Sequence, residues 1–345
     1  MMYIRKFDLF FSLLALFSLL ALSSCESNNN GGNFEPSGNI KPDVIVSKDG
    51  DGDFTSLQAA IDQVPDNQKE YFVIFLKKGT YKEVVTIPHS KNNIYLVGEE
   101  AKNTVVTYDN FAKRLNKDGK EYGTSGSASV FVNGDNFVAE NLTFENTAGM
   151  TAGQALAINI QGKYSAFKNC RFLGHQDTWF ANNDTYQYLL DCYIEGSVDF
   201  IFGGSTAYFE KCAINSTRDG YITAASTPQE QNYGYVFDNC KLSGNSDVAE
   251  NSVYLGRPWR PFAHVVFLNC EMDSHIRLVG WHNWGNPDNE KTAIYKEYNT
   301  RGGEVGDRVD WSYQLSKEEA EQYSYDRVIG GKHPEFLKQE VSIME

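Results

Sequence analysis

The chain has 345 residues, with 45 acidic against 31 basic side chains and a net charge of -14 at pH 7. No basic stripe interrupts that balance, which argues against a nucleic-acid partner, since nothing is arranged to neutralise phosphates. About 300 residues after the N-terminal segment suit one elongated domain, and no later Pro/Ser-rich linker divides them.

Arg5 and Lys6 precede an apolar run over 9–22, and Leu22-Ser23-Ser24-Cys25 follows. A basic start, a short apolar stretch and small residues before a cleavage point describe a secretory signal rather than a membrane span. The ending resembles a bacterial lipoprotein box. That resemblance implies removal of residues 1–24, lipidation of Cys25, and an exported outer-membrane lipoprotein facing the periplasm or the cell surface. The membrane is then a partner only through the lipid. Residues 25–41, rich in Asn, Gly and Ser, read as a flexible tether, and 42–345 as the functional domain.

Asp49-Gly50-Asp51-Gly52-Asp53 has the acids of a calcium loop, but Phe54 stands where the sixth-position Gly belongs and Ala60 where the Glu belongs. No metal is expected there. A turn leading into a helix over 56–64, capped by Thr55 or Ser56, is the better reading.

Beyond it a phrase recurs every 20 to 30 residues: Phe167-Lys168-Asn169-Cys170, Leu189-Leu190-Asp191-Cys192, Phe209-Glu210-Lys211-Cys212, Phe237-Asp238-Asn239-Cys240 and Phe267-Leu268-Asn269-Cys270. Asn141-Leu142 is an earlier copy. A unit of this size cannot bury its own apolar face and must stack on its neighbours. Runs such as Ser129-Val130-Phe131-Val132 alternate with period two, and no sustained 3.6 period intervenes. The expectation is an all-β parallel β-helix. Its cysteines should line the interior, with Cys192 and Cys212 within disulfide reach on adjacent rungs. Five cysteines follow Cys25, so at least one thiol stays free.

Asp177 lies seven residues after Cys170 and Asp199 seven after Cys192. Rungs stack at roughly 4.8 Å, so equal offsets make the two aspartates near neighbours. Such a pair lets one carboxylate act as nucleophile while the other, its pKa raised, donates and recovers a proton. Surface aspartates in turns are common, but these are flanked by Trp179 and by Phe200-Ile201-Phe202, and a carboxylate in apolar surroundings needs a partner. Arg257 is the natural candidate. Gln154 and Gln176 are amide donors suited to an oxyanion, or else to tying off turns.

Gln154-Ala155-Leu156, Gly174-His175-Gln176-Asp177-Thr178, Asp199-Phe200-Ile201-Phe202-Gly203 and Leu255-Gly256-Arg257-Pro258-Trp259 together resemble the pectin methylesterases (pectinesterases, carbohydrate esterase family 8). Further matches are Gly79-Thr80-Tyr81-Lys82-Glu83, 141–149 and Gly280-Trp281-His282-Asn283-Trp284, so the resemblance covers 44–284. It implies a right-handed, single-stranded parallel β-helix of the pectin lyase-like type with short helices at its ends. The implied substrate is pectin or an oligogalacturonide methyl ester, hydrolysed without a cofactor and by a monomer. By motif position Asp199 is the nucleophile, Asp177 the acid and then base, and Gln176 with Gln154 the oxyanion donors. Arg257 orients the nucleophile. Thr124, Gln154, Phe202, Arg257 and Trp259 fall at substrate positions, and Tyr186, Trp281 and Trp284 are further aromatics able to stack on sugar. His175, Trp179 and Gly204 depart from residues common in the family, which bears on substrate pattern and not on the chemistry.

A polygalacturonase or lyase could share the fold, but Asp-Asp with Gly-His-Gly is absent, as are convincing calcium ligands. Gly-x-Ser-x-Gly is absent too, against a serine esterase. A glycan-binding solenoid without activity would not need the full set of two aspartates, two glutamines and an arginine. Near the C-terminus Ser316-Lys317-Glu318-Glu319 reads as a capping box, and the charged tail after Gly330 should pack along or cap the solenoid. The acidic balance suggests a groove margin that is not basic.

Overall fold

The computed structural model describes residues 38–302, 307–334, 337 and 341–343. The leader and Cys25 lie outside them. The tether ends before 41, because Gly38–Ile40 is a strand paired in parallel with Val341–Ile343. Among the described residues no helix is long and apolar enough to cross a membrane.

The chain coils so that successive turns add strands to the same faces, and the pairings between its strands are parallel. One face is an 11-stranded sheet running from Val44–Val46 to Tyr313–Gln314. Two other faces merge into a 13-stranded sheet, because Tyr193–Gly203 and Ala213–Ala225 each run continuously through both. Short strands such as Arg171–Leu173 and Trp179–Ala181 occupy those two faces separately in the turn before.

The repeated phrase accounts for one corner of the coil. Its Phe points inward from the 11-stranded sheet, and Phe209, Phe237 and Phe267 stack with ring centroids 4.3 and 4.6 Å apart. The next-but-one residue turns the chain with positive φ: 49° at Asn169, 52° at Asp191, 54° at Asn239 and 53° at Asn269. Asn and Asp tolerate this left-handed region better than other residues with a Cβ. Their side chains also bond along the stack, with Asn169 Nδ2 donating to Asn141 Oδ1 at 2.7 Å. Each cysteine then faces the core, and all five are buried. The possible Cys192–Cys212 bridge is not formed: both are free thiols, each directed at backbone carbonyls of its own corner and the preceding turn.

The expected N-terminal helix is Leu57–Gln63, capped by Ser56, whose Oγ accepts from Ala59 N. Glu83 secures it by accepting from Leu57 N at 3.0 Å and Gln58 N at 3.1 Å, which gives the Gly79–Glu83 motif a structural role. Asp51 pairs with Lys77 at 2.8 Å and Asp53 accepts from Ile45 N, so the acidic loop is a turn held by the protein itself. The Ser316 capping box is present. Leu315, Tyr323, Val328 and Ile329 lie against outward residues of the 11-stranded sheet such as Tyr95, Tyr188 and Val236. The C-terminal segment therefore runs along the solenoid, covering one face.

Candidate active site

The 13-stranded sheet carries the site. Trp179 pairs with Ile201 and Phe180 with Phe202, which puts Asp177 and Asp199 on adjacent rungs at the same register position. Asp177 N donates to Val198 O at 3.0 Å, and Ser197 N donates to His175 O at 2.9 Å, fixing that register. Both aspartates have left-handed backbone, with φ of 65° and 51°. The strand bearing Asp199 breaks register between Gly196 and Val198 and again before Ile201, a bulge that re-aims a side chain out of the ladder. Gly196 permits the bend. A Cβ there would lie 2.2 Å from the Phe200 side chain and 2.7 Å from His175 O.

Arg257 holds both oxygens of Asp199, Nε to Oδ1 at 2.9 Å and Nη2 to Oδ2 at 2.7 Å. The guanidinium is itself sandwiched, 3.8 Å from the ring of Tyr221 and 3.8 Å from that of Trp284. Burial pushes the Asp199 carboxyl above its usual range, and the bidentate arginine opposes that shift. Asp177 is pushed well up, first by burial and then by the charge of Asp199, against the opposing charge of Arg257. No described side chain donates a hydrogen bond to its carboxyl. Of the pair, Asp177 is the one that keeps a proton as pH rises.

Thr124, Gln154, Gln176, Asp177, Asp199 and Arg257 line one cleft of about 440 Å³, with Phe202, Trp259 and Trp284 on its walls. Gln154 and Gln176 pair as a parallel bridge, so their amides share one edge of the cleft. Asn146, from the 141–149 motif, lies buried behind that edge. Its Nδ2 donates to Asn110 O, Ser127 O and Leu156 O, clamping the segments that carry Thr124 and Gln154. The eight residues expected from sequence at catalytic and substrate positions therefore converge. Of the further aromatics, Trp284 reaches the cleft, but Trp281 is only 1% exposed and stacks on Tyr295 at 4.1 Å. Tyr186 stacks on Tyr164 and has Lys332 over its ring. Trp179 is core, packed edge-on to Phe209 and Tyr235.

Sequence reasoning missed Phe180, Tyr221, Ser125 and Ala224. Phe180 was within reach, since it shares its offset with Phe202 as Asp177 does with Asp199, and their rings stack at 4.6 Å. With Trp259, Ala128 and Leu156 they form an outward apolar patch beside the acids. Such a wall suits the hydrophobic faces of sugar rings or an ester methyl group. Among the described residues no group of three or more His, Cys, Asp or Glu is arranged to hold a metal.

The groove of the β-helix therefore sets an arginine-held carboxylate beside a carboxyl of raised pKa. The family model described as Pectinesterase matches residues 43–332, and the chain belongs to that family: it is an enzyme, a carboxylic ester hydrolase. Pectinesterase 31 of Arabidopsis thaliana is 46% identical over 284 residues, covering 80% of this chain and 89% of that protein. The pectin methylesterase from carrot superposes with a TM-score of 0.79 at 31% identity, over 85% of this chain and 94% of that one. The Erwinia chrysanthemi enzyme PemA gives 0.77 at 30% identity, over 86% and 99%. The coil is thus the right-handed parallel β-helix expected. The family match also extends past Trp284, taking in the C-terminal segment that covers the sheet.

Proposed function

We propose that this enzyme demethylates pectin, with Asp199 as nucleophile and Asp177 as proton donor and acceptor. Ionised Asp199 attacks the ester carbonyl carbon of a methylated uronate. Gln176 and Gln154 donate to the oxygen that gains charge. Asp177 gives its proton to the departing methoxide, methanol leaves, and an anhydride links Asp199 to the uronate. Asp177, now ionised, takes a proton from water as that water opens the anhydride. The uronic acid is freed and ionises by releasing its proton to solvent, Asp199 is again a carboxylate, and Asp177 again holds a proton. Thr124, Phe202 and Trp259 hold the sugar chain against the apolar wall.

The observation that carries this reading is the asymmetry of the pair: two arginine hydrogen bonds on Asp199 and none on Asp177. One group is kept as a nucleophile and the other as an acid. Assay of highly methylated pectin tests it by the product formed. Methanol supports the esterase, shortened chains point to a glycosidase, unsaturated ends to a lyase, and no methanol overturns the proposal.

Export with a lipid on Cys25 completes the reading, since the polymer lies outside the cell. Recovery of the protein in the membrane fraction, and its release by Cys25→Ser, tests the anchor. The reading takes a monomer as the active form, and sedimentation tests that state.

A further inference from the structure

A column of side chains runs from the oxyanion edge away from the acids along the coil. Gln154 pairs with Gln176, Val198 with Tyr221, and Tyr221 with Tyr254. The Val253–Ile276 bridge then brings Arg277 level with Tyr254. The rings of Tyr221 and Tyr254 stack at 5.1 Å, 7° from parallel. The Arg277 guanidinium lies 4.6 Å from the Tyr254 centroid, and His282 packs against both tyrosines at 5.6 and 5.2 Å. Three rung steps separate Arg277 from Val198, the neighbour of Asp199, or about 14 Å at the strand spacing.

Among the described residues, Arg277 is held by aromatic contact and by nothing anionic. Among the described residues no acidic group forms an ion pair with it, and its Nε is buried without a hydrogen-bond partner. In a protein of net charge -14 an unpaired, half-buried guanidinium is a costly arrangement. The expectation of a non-basic groove margin does not hold at this edge. Arg257 and Arg277 stand at two ends of one tyrosine stack, and Arg260 lies over Trp259 on the cleft wall.

We infer that Arg277, with Tyr254 beneath it and His282 beside it, is a distal subsite for a free carboxylate of the substrate chain. Resting on the esterase reading, it follows from the chemistry: each turnover turns a neutral ester on the polymer into an anion. A guanidinium fork offers paired donors to a carboxylate, and the tyrosine offers a face to its sugar. The enzyme then favours polymer already demethylated a few units from the ester under attack.

Two measurements test this. In the first, methanol release is compared on fully and on partially methylated homogalacturonan for wild type, Arg277→Gln and Arg277→Lys. Arg277→Gln should lower kcat/KM on the partially methylated polymer about tenfold more than on the fully methylated one, as loss of one charged hydrogen-bonding site implies. Arg277→Lys should recover part of the difference. An equal loss on both polymers, or no loss, overturns the subsite. In the second, binding of unesterified oligogalacturonate is titrated at low and raised salt. It should weaken about tenfold in Arg277→Gln and lose most of its salt dependence. Unchanged binding also overturns the proposal. A wild type that binds oligogalacturonate through Arg277 yet releases no methanol would defeat the esterase reading alone.

Discussion

Trp284 lies 3.8 Å over the guanidinium of Arg257, on the side opposite Tyr221. The arginine is thereby fixed in plane while its two donors face Asp199. Trp284 is 38% exposed, so it acts as a lid on this ion pair rather than as core. A cation–π contact at such a site contributes about 0.5–1 kcal/mol, and Trp284→Ala should therefore lower kcat/KM by about two- to fivefold. Steady-state kinetics with the variant, alongside an unchanged melting temperature, is the check. A loss beyond a hundredfold would give the tryptophan a different role.

Gln176→Ala should reduce kcat by about a hundredfold or more while KM changes little, the pattern for a donor used only as the oxyanion develops. A pure rise in KM would make Gln176 a ground-state contact.

The buried carboxyl of Asp177 makes an unusual stability prediction. Its value in the folded state is raised, so folding holds its proton. The protonated group is tolerated at low pH, and the cost of burying its charge appears as pH rises through the folded value. Asp177→Asn removes that cost. The variant should melt about 2 to 4 °C above wild type at pH 8, with the gap closing below about pH 4. It should also be inactive. Calorimetry across pH settles the sign, and a variant less stable than wild type at pH 8 would contradict the assignment.

Asn146 Nδ2 shares its two hydrogens among carbonyls on three segments. Asn146→Ala leaves buried carbonyls without a donor, at a cost of about 2 kcal/mol or more. Urea unfolding should show a lower midpoint with an unchanged slope. Residual enzyme should have a raised KM, because the rim bearing Thr124 and Gln154 is no longer clamped.

How far the chain could be read in advance depended on spacing. Strand stacking preserves offsets, so the interval between Cys170 and Cys192 located Asp177 beside Asp199 and could have located Phe180 beside Phe202. The corner residues Asn169 and Cys170 were legible for the same reason. Contacts made by side chains that leave the repeat were not. Tyr221 and Trp284 meet Arg257 from a bulged strand and a loop, and no interval in the sequence encodes that meeting. Trp281 and Trp284 sit three residues apart, yet one is core and the other faces the cleft, a choice made by tertiary packing. The charge balance misled locally, because an overall excess of acids says nothing of where Arg257, Arg260 and Arg277 gather. Cys192 and Cys212 do fall on adjacent rungs as their spacing implied, but both remain free thiols.

The central claim is that Asp199 is the attacking group, held ready by Arg257. Methanol release from highly methylated pectin by Asp199→Asn, a nearly isosteric change, tests it most directly. The wild type should turn over and the folded variant should lose at least about ten-thousandfold in kcat, as for removal of a catalytic nucleophile elsewhere. A folded Asp199→Asn enzyme releasing methanol at the wild-type rate would contradict the account.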